Sequence, residues 1–195
     1  MIFSMNEDLK SWLNHNGMKF LKEIGIKRGY TVVDFGCGEG HYAIPLSYAV
    51  GEKGKVYAVD KDMQVLKKLK RYIEKKELNN VKLLANENDE IPLEDNSVDA
   101  VLCYDVIHYE KRTKREEIYK EIYRILKPEG FFSLYPKHHK DDYPLKELSS
   151  LSLKDIIEEV EKTGFQLKEK LTKRCLHDVY YNECIILNFI PLIRR

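Results

Sequence analysis

The residues best suited to chemistry in this sequence are three glycines and two aspartates placed around short apolar runs. Asp34 lies in the run Val-Val-Asp-Phe at 32–35, and this run precedes a loop that contains Gly36, Gly38 and Gly40. Glycine permits a tight turn and a close approach of the backbone to a ligand because it has no Cβ. Asp60 follows roughly 20 residues after the loop, where an acid can accept hydrogen bonds from both ribose hydroxyls. This spacing predicts a site for a nucleotide-like ligand.

The loop does not suit a pyrophosphate. A dinucleotide-binding loop spaces its glycines as GxGxxG, whereas here the third glycine comes one residue early. The carboxylate of Asp34 would repel a pyrophosphate, but it suits the ammonium group of a ligand that carries an amino acid, directly or through water. The loop therefore predicts a cationic ligand rather than a phosphorylated one.

Three further segments extend the pattern. They are Val-Tyr-Ala-Val-Asp at 56–60, Ile-Pro-Leu-Glu-Asp-Asn-Ser-Val-Asp at 91–99 and Leu-Lys-Pro-Glu-Gly at 126–130. With these segments, the chain from about residue 19 to 165 resembles the class I S-adenosylmethionine-dependent methyltransferases. The likeness is to the small type-11-like group related to ubiquinone and arsenite methyltransferases. It implies the seven-stranded methyltransferase fold, S-adenosylmethionine as cofactor and S-adenosylhomocysteine as product.

The resemblance also implies which residues bind the cofactor. They are Asp34, Gly36, Cys37, Gly38 and Gly40 in the loop, then Asp60, Lys61, Met63, Glu87 and Asn88, and finally Cys103 and Tyr104 at the end of the fourth strand. Glu87 matches the acid that accepts from the adenine amino group in the family. The chain reads Asn86-Glu87-Asn88 where Gly-Asp-Ala is commoner, so a solvated loop acid is the alternative for Glu87.

His108 is the candidate catalytic residue, because it follows the fourth strand by a few positions. An imidazole there could take a proton from the methyl acceptor, although packing or hydrogen bonding is the favoured role. His41, just after the glycine loop, is a weaker candidate. Cys103 lacks the adjacent proline of nucleophilic cytosine methyltransferases, and we expect a core thiol.

Neither the histidines nor the cysteines show the spacing of a metal site. His138 and His139 occupy a proline-bounded loop at 135–144, which could shape the acceptor pocket, and no cysteine stands near them at zinc-site spacing. We therefore expect no metal. The cysteines are Cys37, Cys103, Cys175 and Cys184. They form no CxxC pair, and we expect them to be reduced.

Apolar periodicity indicates an α/β fold that would position these residues. Short β-rich runs predict buried strands at 31–35, 56–59, 81–84, 98–103 and 131–135, with helical patterns between them. Ser152 and Asp155 predict a capping box that opens a further helix. Runs at 165–171 and 179–189 follow without an intervening helix and predict an antiparallel edge hairpin. The expected fold is a doubly wound, mostly parallel Rossmann-like sheet.

We expect one methyltransferase domain over residues 1–195, because no repeat or linker divides the chain. Residues 1–28 are predicted to form a helical cap in two pieces broken at 14–17, which could lie over the ligand crevice. Residues 29–135 would form the cofactor-binding core. Residues 136–195 would supply an acceptor-side loop, a helix and the terminal hairpin.

The composition of the chain limits the kinds of partner that it is expected to bind. The chain carries 33 basic and 32 acidic residues, a net charge of +1, which does not favour a large nucleic-acid surface. No apolar run approaches the roughly 20 residues of a membrane span, and no secretory signal is evident, so we expect a cytoplasmic protein. We expect methyl transfer to a small molecule through an oxygen, nitrogen, carbon or soft heteroatom. The alternatives are a non-catalytic cofactor-binding or partner-subunit protein and an RNA or protein methyltransferase.

Overall fold

The computed structural model describes residues 6–86, 90–140, 142 and 150–192. Its strands are β1 (Thr31–Phe35), β2 (Lys55–Asp60), β3 (Val81–Ala85), β4 (Val98–Tyr104), β5 (Leu126–Tyr135), β6 (Phe165–His177) and β7 (Tyr180–Pro191). Its α-helices are α1 (Glu7–Ser11), α2 (Gly17–Glu23), α3 (Ala43–Val50), α4 (Met63–Lys75), α5 (Arg112–Ile125) and α6 (Leu153–Glu161). A π-helical turn, Trp12–Asn16, joins α1 to α2, and a 3-10 turn, Ile107–Tyr109, precedes α5.

The seven strands form one sheet in the order β3-β2-β1-β4-β5-β7-β6. The pairs among β1 to β5 are parallel, whereas β7 pairs antiparallel with both β5 and β6. This arrangement confirms the predicted α/β sheet with an antiparallel C-terminal hairpin. The strand order changes direction at β1, and in open α/β sheets ligands bind outside the carboxyl ends of the strands at such a point.

Two apolar clusters cover the faces of the sheet, because successive side chains of a strand point to opposite sides. On one face, Val32 and Leu102 pack with the N-terminal helices, α3 and α4. On the other face, Val33 and Val101 pack with α5 and α6. The central strands are buried on both sides, which explains their continuous apolar runs.

β5 begins earlier than its apolar run predicts. Leu126, which lies outside the strand predicted at 131–135, is the first residue of β5 and pairs with Val98. The register then shifts between Val98 and Ala100. The side chain of Leu126 is buried in the strand as it would be on an amphipathic helix, so the apolar pattern did not separate the two structures.

Residues 7–23 form a continuous helical run, which corrects the predicted break at 14–17. Trp12 is fully buried, and its Nε1 donates to the carbonyl oxygen of His41 at 2.8 Å. Gly17 lies so close to Pro45 that an added Cβ would stand 2.7 Å from Pro45 Cγ. Tertiary packing therefore maintains a helix through a polar sequence of weak helix propensity.

Cys175 and Cys184 form a disulfide across the β6–β7 hairpin, which corrects the expectation of four reduced cysteines. The register pairs Cys175 with Asn182 and Cys184 with Lys173, so the two cysteines are diagonal neighbours. Their Cα atoms are 5.8 Å apart, within the range that a disulfide bridges. The strand register creates this proximity, and the sequence spacing does not reveal it.

Local capping fixes the start of two helices. The side chain of Asp62 accepts from the Gln64 backbone N–H at 2.7 Å at the start of α4. Ser152 and Asp155 form the predicted capping box of α6.

No helix in the described part of the chain combines the length and apolar character that a membrane crossing needs.

Candidate functional site

A cavity of about 450 Å³ opens at the carboxyl ends of β1, β2 and β4. Its lining comprises Phe35, Gly36, Val59, Asp60, Lys61, Asn86, Asp105, Val106, Glu110 and Ile118. A volume of this size suits a small organic ligand, and the position matches the ligand crevice of open α/β sheets. The sequence-predicted residues that contribute to the lining are Gly36, Asp60 and Lys61.

The glycine loop turns sharply from β1 toward α3. Gly36, Gly38 and Gly40 have φ angles of +74°, +50° and +87°, a region in which side chains with a Cβ are strained. A Cβ on Gly36 would collide with Val106, and one on Gly40 would collide with Leu69 of α4. A Cβ on Gly38 would meet no atom within 4 Å. Gly36 and Gly40 therefore allow close packing against neighbouring side chains, whereas Gly38 borders open space.

Asp60, at the end of β2, connects two parts of the site. Its Oδ2 accepts from the Gly38 backbone N–H at 2.8 Å, and its Oδ1 accepts from the Asp62 N–H at 2.9 Å. A carboxylate oxygen has more than one lone pair, so both oxygens can accept a second hydrogen bond from a ligand in the cavity. Asp60 therefore holds the glycine loop and also offers acceptors to the cavity.

Asp34 is a buried carboxyl at the end of β1, with 3% of its surface exposed. Burial raises its pKa from 3.8 to about 7, a backbone hydrogen bond from Ala43 lowers it, and the charge of Asp60 raises it further. Its Oδ2 is buried and accepts no hydrogen bond from the described residues. A buried acceptor of this kind is costly unless a donor or a cation reaches it.

Asn86 is a cavity residue that the sequence analysis noted only as part of an unusual tripeptide. Its backbone N–H donates to the Asp60 carbonyl oxygen at 3.1 Å, and its side chain is buried. The Asn86 Oδ1 atom accepts no hydrogen bond within the described segments. The predicted adenine residues Glu87 and Asn88 lie outside the described residues. The departure from Gly-Asp-Ala was the signal that could have singled out Asn86.

Several predicted cofactor residues lie away from the cavity lining. The Tyr104 hydroxyl is 2.7 Å from Ser133 Oγ, and its ring centroid is 4.9 Å from that of Tyr42 in the core. Cys37 and Cys103 are buried thiols whose pKa is raised by burial. Met63 is exposed at the start of α4, in a groove between α4 and β3.

His108 is buried behind Asp105 and is not part of the cavity lining. Its Nδ1 lies 3.3 Å from Asp105 Oδ1. His41, the weaker candidate, has a pKa lowered mainly by burial. At the cavity itself, Lys61 Nζ and Glu110 Oε1 form an ion pair at 3.2 Å.

Four lining residues that the sequence did not predict come from the chain between β4 and α5 and from α5 itself. Val106, Glu110 and Ile118 line the cavity together with Asp105. They carry no motif, and their contribution depends on the course of the chain after β4. Apolar periodicity assigned Ile118 to a helix but did not show which end of that helix meets the cavity.

Comparison with known proteins connects this site to a family. Residues 26–182 match the family described as methyltransferase domain. Demethylmenaquinone methyltransferase of Oceanobacillus iheyensis is 32% identical over 123 residues, which cover 62% of this chain and 48% of that protein. The Staphylococcus aureus protein of the same name is 35% identical over 114 residues, 57% of this chain and 45% of that protein. The chain thus spans about half the length of the curated relatives it matches.

Two solved structures match this chain over nearly its whole length and over nearly their own whole length. A SAM-dependent methyltransferase from Aquifex aeolicus is 28% identical, with a TM-score of 0.75 and coverage of 94% of this chain and 93% of that one. The PH0226 protein from Pyrococcus horikoshii is 19% identical, with a TM-score of 0.69 and coverage of 97% and 96%. The second likeness shows the fold alone.

Proposed function

The chain belongs to the methyltransferase domain family, and from this membership we propose that it is an S-adenosylmethionine-dependent methyltransferase acting on a small molecule. The observation that carries the proposal is the buried carboxylate of Asp34 beside the glycine loop, with Asp60 at the neighbouring strand end. The names of the Oceanobacillus and Aquifex proteins support the same activity.

The residues present fit S-adenosylmethionine. The ammonium group of its methionine part would neutralise Asp34, and the ribose hydroxyls would donate to Asp60. Asn86, whose Oδ1 accepts no bond from the described chain, offers an acceptor to the adenine amino group. Open space at Gly38 leaves room for the ligand to approach the backbone. The predicted contribution of Glu87 and Asn88 stays part of the proposal.

The chemistry of the reaction comes from the sulfonium of the cofactor, whose methyl group moves to a lone pair of the acceptor and leaves S-adenosylhomocysteine. The protein then has to bind the cofactor and the acceptor, orient them toward each other and exclude water. These functions can supply most of the catalysis. Val106 and Ile118 form an apolar part of the cavity wall, while Lys61 and Glu110 place charged groups at the cavity. The net charge of +1 favours a small molecule over a nucleic acid as the acceptor.

Calorimetric titration with S-adenosylhomocysteine tests the cofactor site. Asp60→Ala removes the proposed ribose acceptor, and losing a hydrogen bond to a charged group costs about 1.5–3 kcal/mol, roughly tenfold or more in affinity. Asp95→Ala is the matched control, because Asp95 is an exposed aspartate that pairs with Arg124 away from the cavity. We expect weaker binding in the first variant and wild-type binding in the second. Equal affinity of the two folded variants would remove Asp60 from the site.

Activity is tested with S-adenosylmethionine carrying an isotopically labelled methyl group. The protein and the labelled cofactor are incubated with a small-molecule fraction, an RNA fraction and a protein fraction, each analysed for incorporated label. We expect label in the small-molecule fraction. Label confined to RNA or protein would refute the proposed acceptor class, and cofactor binding without label in any fraction would favour a non-catalytic binding protein.

A further inference from the structure

Four side chains from the ends of three strands converge beside the cavity. Asp105 follows β4, His108 lies in the 3-10 turn, His138 follows β5, and His177 ends β6. We refer to these four residues as the histidine cluster. The sequence pattern predicted no metal, because His138 and His139 occupy a proline-bounded loop without a recognised ligand spacing.

The distances within the cluster match a coordination sphere made of one carboxylate oxygen and two imidazole nitrogens. Asp105 Oδ1 is 3.3 Å from His108 Nδ1 and 3.8 Å from His138 Nε2. One ligand atom from each of these three residues lies within 4.8 Å of the other two. Ligand atoms bound tetrahedrally at about 2.1 Å from an ion stand roughly 3.4 Å apart. Small side-chain movements would therefore bring all three atoms to a single ion.

His177 approaches the same carboxylate from the other side. Its Nε2 is 2.9 Å from Asp105 Oδ2, so it can orient the carboxylate while Oδ1 faces the other two histidines. Metal ligands are commonly held in this way by a hydrogen-bonding group outside the coordination sphere. This geometry fits His177 as a positioning residue, with Asp105, His108 and His138 as the group that could hold an ion.

Burial and backbone conformation set the cluster apart from ordinary surface groups. His108 and His138 are each 1% exposed. Asp105 and His138 have φ angles of +59° and +64°, a region that residues other than glycine rarely adopt. Such conformations persist where the surrounding structure imposes them, and they concentrate at functional sites. Both residues with positive φ belong to the group of three that could hold an ion.

We propose that Asp105, His108 and His138 bind one divalent transition-metal ion. Two imidazoles and one carboxylate suit first-row ions such as Zn²⁺ and Fe²⁺, and three protein ligands leave coordination positions open. Asp105 also lines the cavity, so the ion lies at the boundary between the cavity and the β5 and β6 ends. In that position its open sites would take an oxygen or nitrogen atom of the acceptor, a role that rests on the proposed function.

Zn²⁺ alone is the probe for the metal site. The chelator-treated full chain is titrated calorimetrically without cofactor, and Co²⁺ is added separately to record visible absorption bands. We expect one Zn²⁺ per chain. His138→Ala should reduce the affinity by more than the about 10–100-fold typical of an outer-sphere substitution. His177→Ala should fall within that range, and His177→Gln, which keeps a donor, should recover part of the loss. His15→Ala removes an exposed histidine and should bind like wild type.

The variants also separate this proposal from the cofactor proposal. Asp60→Ala should bind Zn²⁺ normally while losing affinity for S-adenosylhomocysteine, whereas His177→Ala should show the reverse. Circular dichroism establishes that each variant is folded, and the partly exposed His177 carries the test if the buried His138 variant does not fold. Absence of Zn²⁺ binding by the wild-type chain, or equal Zn²⁺ affinity in the wild-type, His177→Ala and His15→Ala proteins, would overturn the metal site.

Discussion

Asp34 combines a buried position with a charge that the proposed ligand would neutralise, and its ionisation should therefore be linked to binding. Its pKa is about 7 in the folded chain and has the ordinary value of 3.8 when exposed. The folded state binds the proton more tightly, so the free energy of unfolding falls as pH rises from 3.8 to about 7. The burial cost is then fully present above pH 7.

We predict that S-adenosylhomocysteine affinity falls as pH decreases below about 7, by up to about tenfold per pH unit, because the ammonium group requires the ionised Asp34. Asp34→Asn should lose at least about tenfold in affinity at pH 8 and lose this pH dependence. The ligand-free variant should be no less stable than wild type at pH 8, since a buried charge has been removed. Calorimetry and thermal unfolding from pH 5 to 9 measure both effects. A pH-independent affinity in the wild-type protein would contradict the role of Asp34.

Gly36 and Gly38 should respond differently to substitution although both have positive φ. Gly36→Ala adds a collision with Val106, which we expect to cost about 1–3 kcal/mol beyond the backbone strain. Gly38→Val adds backbone strain at positive φ but no such collision, because its Cβ meets open space, and it should block cofactor binding. Chemical denaturation and calorimetry distinguish the two. A Gly38→Val protein that binds S-adenosylhomocysteine like wild type would place the ligand elsewhere.

At the scale of elements, one buried ion pair fixes α5 against α6 and also supports the cavity. The Arg115 guanidinium donates two hydrogen bonds of 2.7 Å to Glu159, and both side chains are buried. Arg115 Nη1 also donates to the carbonyl oxygen of Glu110, a cavity residue, at 2.7 Å. The position of Glu110 therefore depends on packing between two helices.

We predict that Arg115→Met lowers the free energy of unfolding by about 3–5 kcal/mol, because it leaves the Glu159 carboxylate buried without its partner. The double variant Arg115→Met with Glu159→Leu should recover much of the loss, since no buried charge remains. Arg112→Met with Glu116→Leu is the control, as this exposed pair should contribute less than about 1 kcal/mol. Urea denaturation gives all four values. A single Arg115→Met variant as stable as wild type would show that the ion pair contributes little.

At the scale of the whole molecule, a ligand that binds the native state raises the melting temperature by linkage. At a concentration of about 100 times Kd, S-adenosylhomocysteine should add about 2.7 kcal/mol, or roughly 5–10 °C for a domain of this size. NAD should produce no comparable shift, because Asp34 repels a pyrophosphate. Thermal unfolding with each ligand at equal concentration makes the comparison. Stabilisation by NAD and none by S-adenosylhomocysteine would be inconsistent with the proposed cofactor.

The sequence by itself determined the strand and helix pattern and brought forward the residues at the core of the proposed cofactor site. The Asp34–Gly40 loop follows β1 directly, and Asp60 ends the next strand, so parallel pairing of β1 with β2 brings them together. Hydrophobic periodicity likewise predicted the strands of the sheet and the C-terminal hairpin, because the order of apolar and polar residues along a segment shows whether one face or both faces are buried. The resemblance to methyltransferases rested on these local features.

Tertiary structure alone decided the contacts between distant segments. The Cys175–Cys184 disulfide depends on hairpin register, and the helical path through 14–17 depends on burial of Trp12. The convergence of His138 and His177 on Asp105 depends on where three strands end in the sheet order β4-β5-β7-β6. A local pattern specifies which face of an element is buried, but the side chains that meet at a sheet edge depend on strand order, strand length and loop path, which no short segment contains.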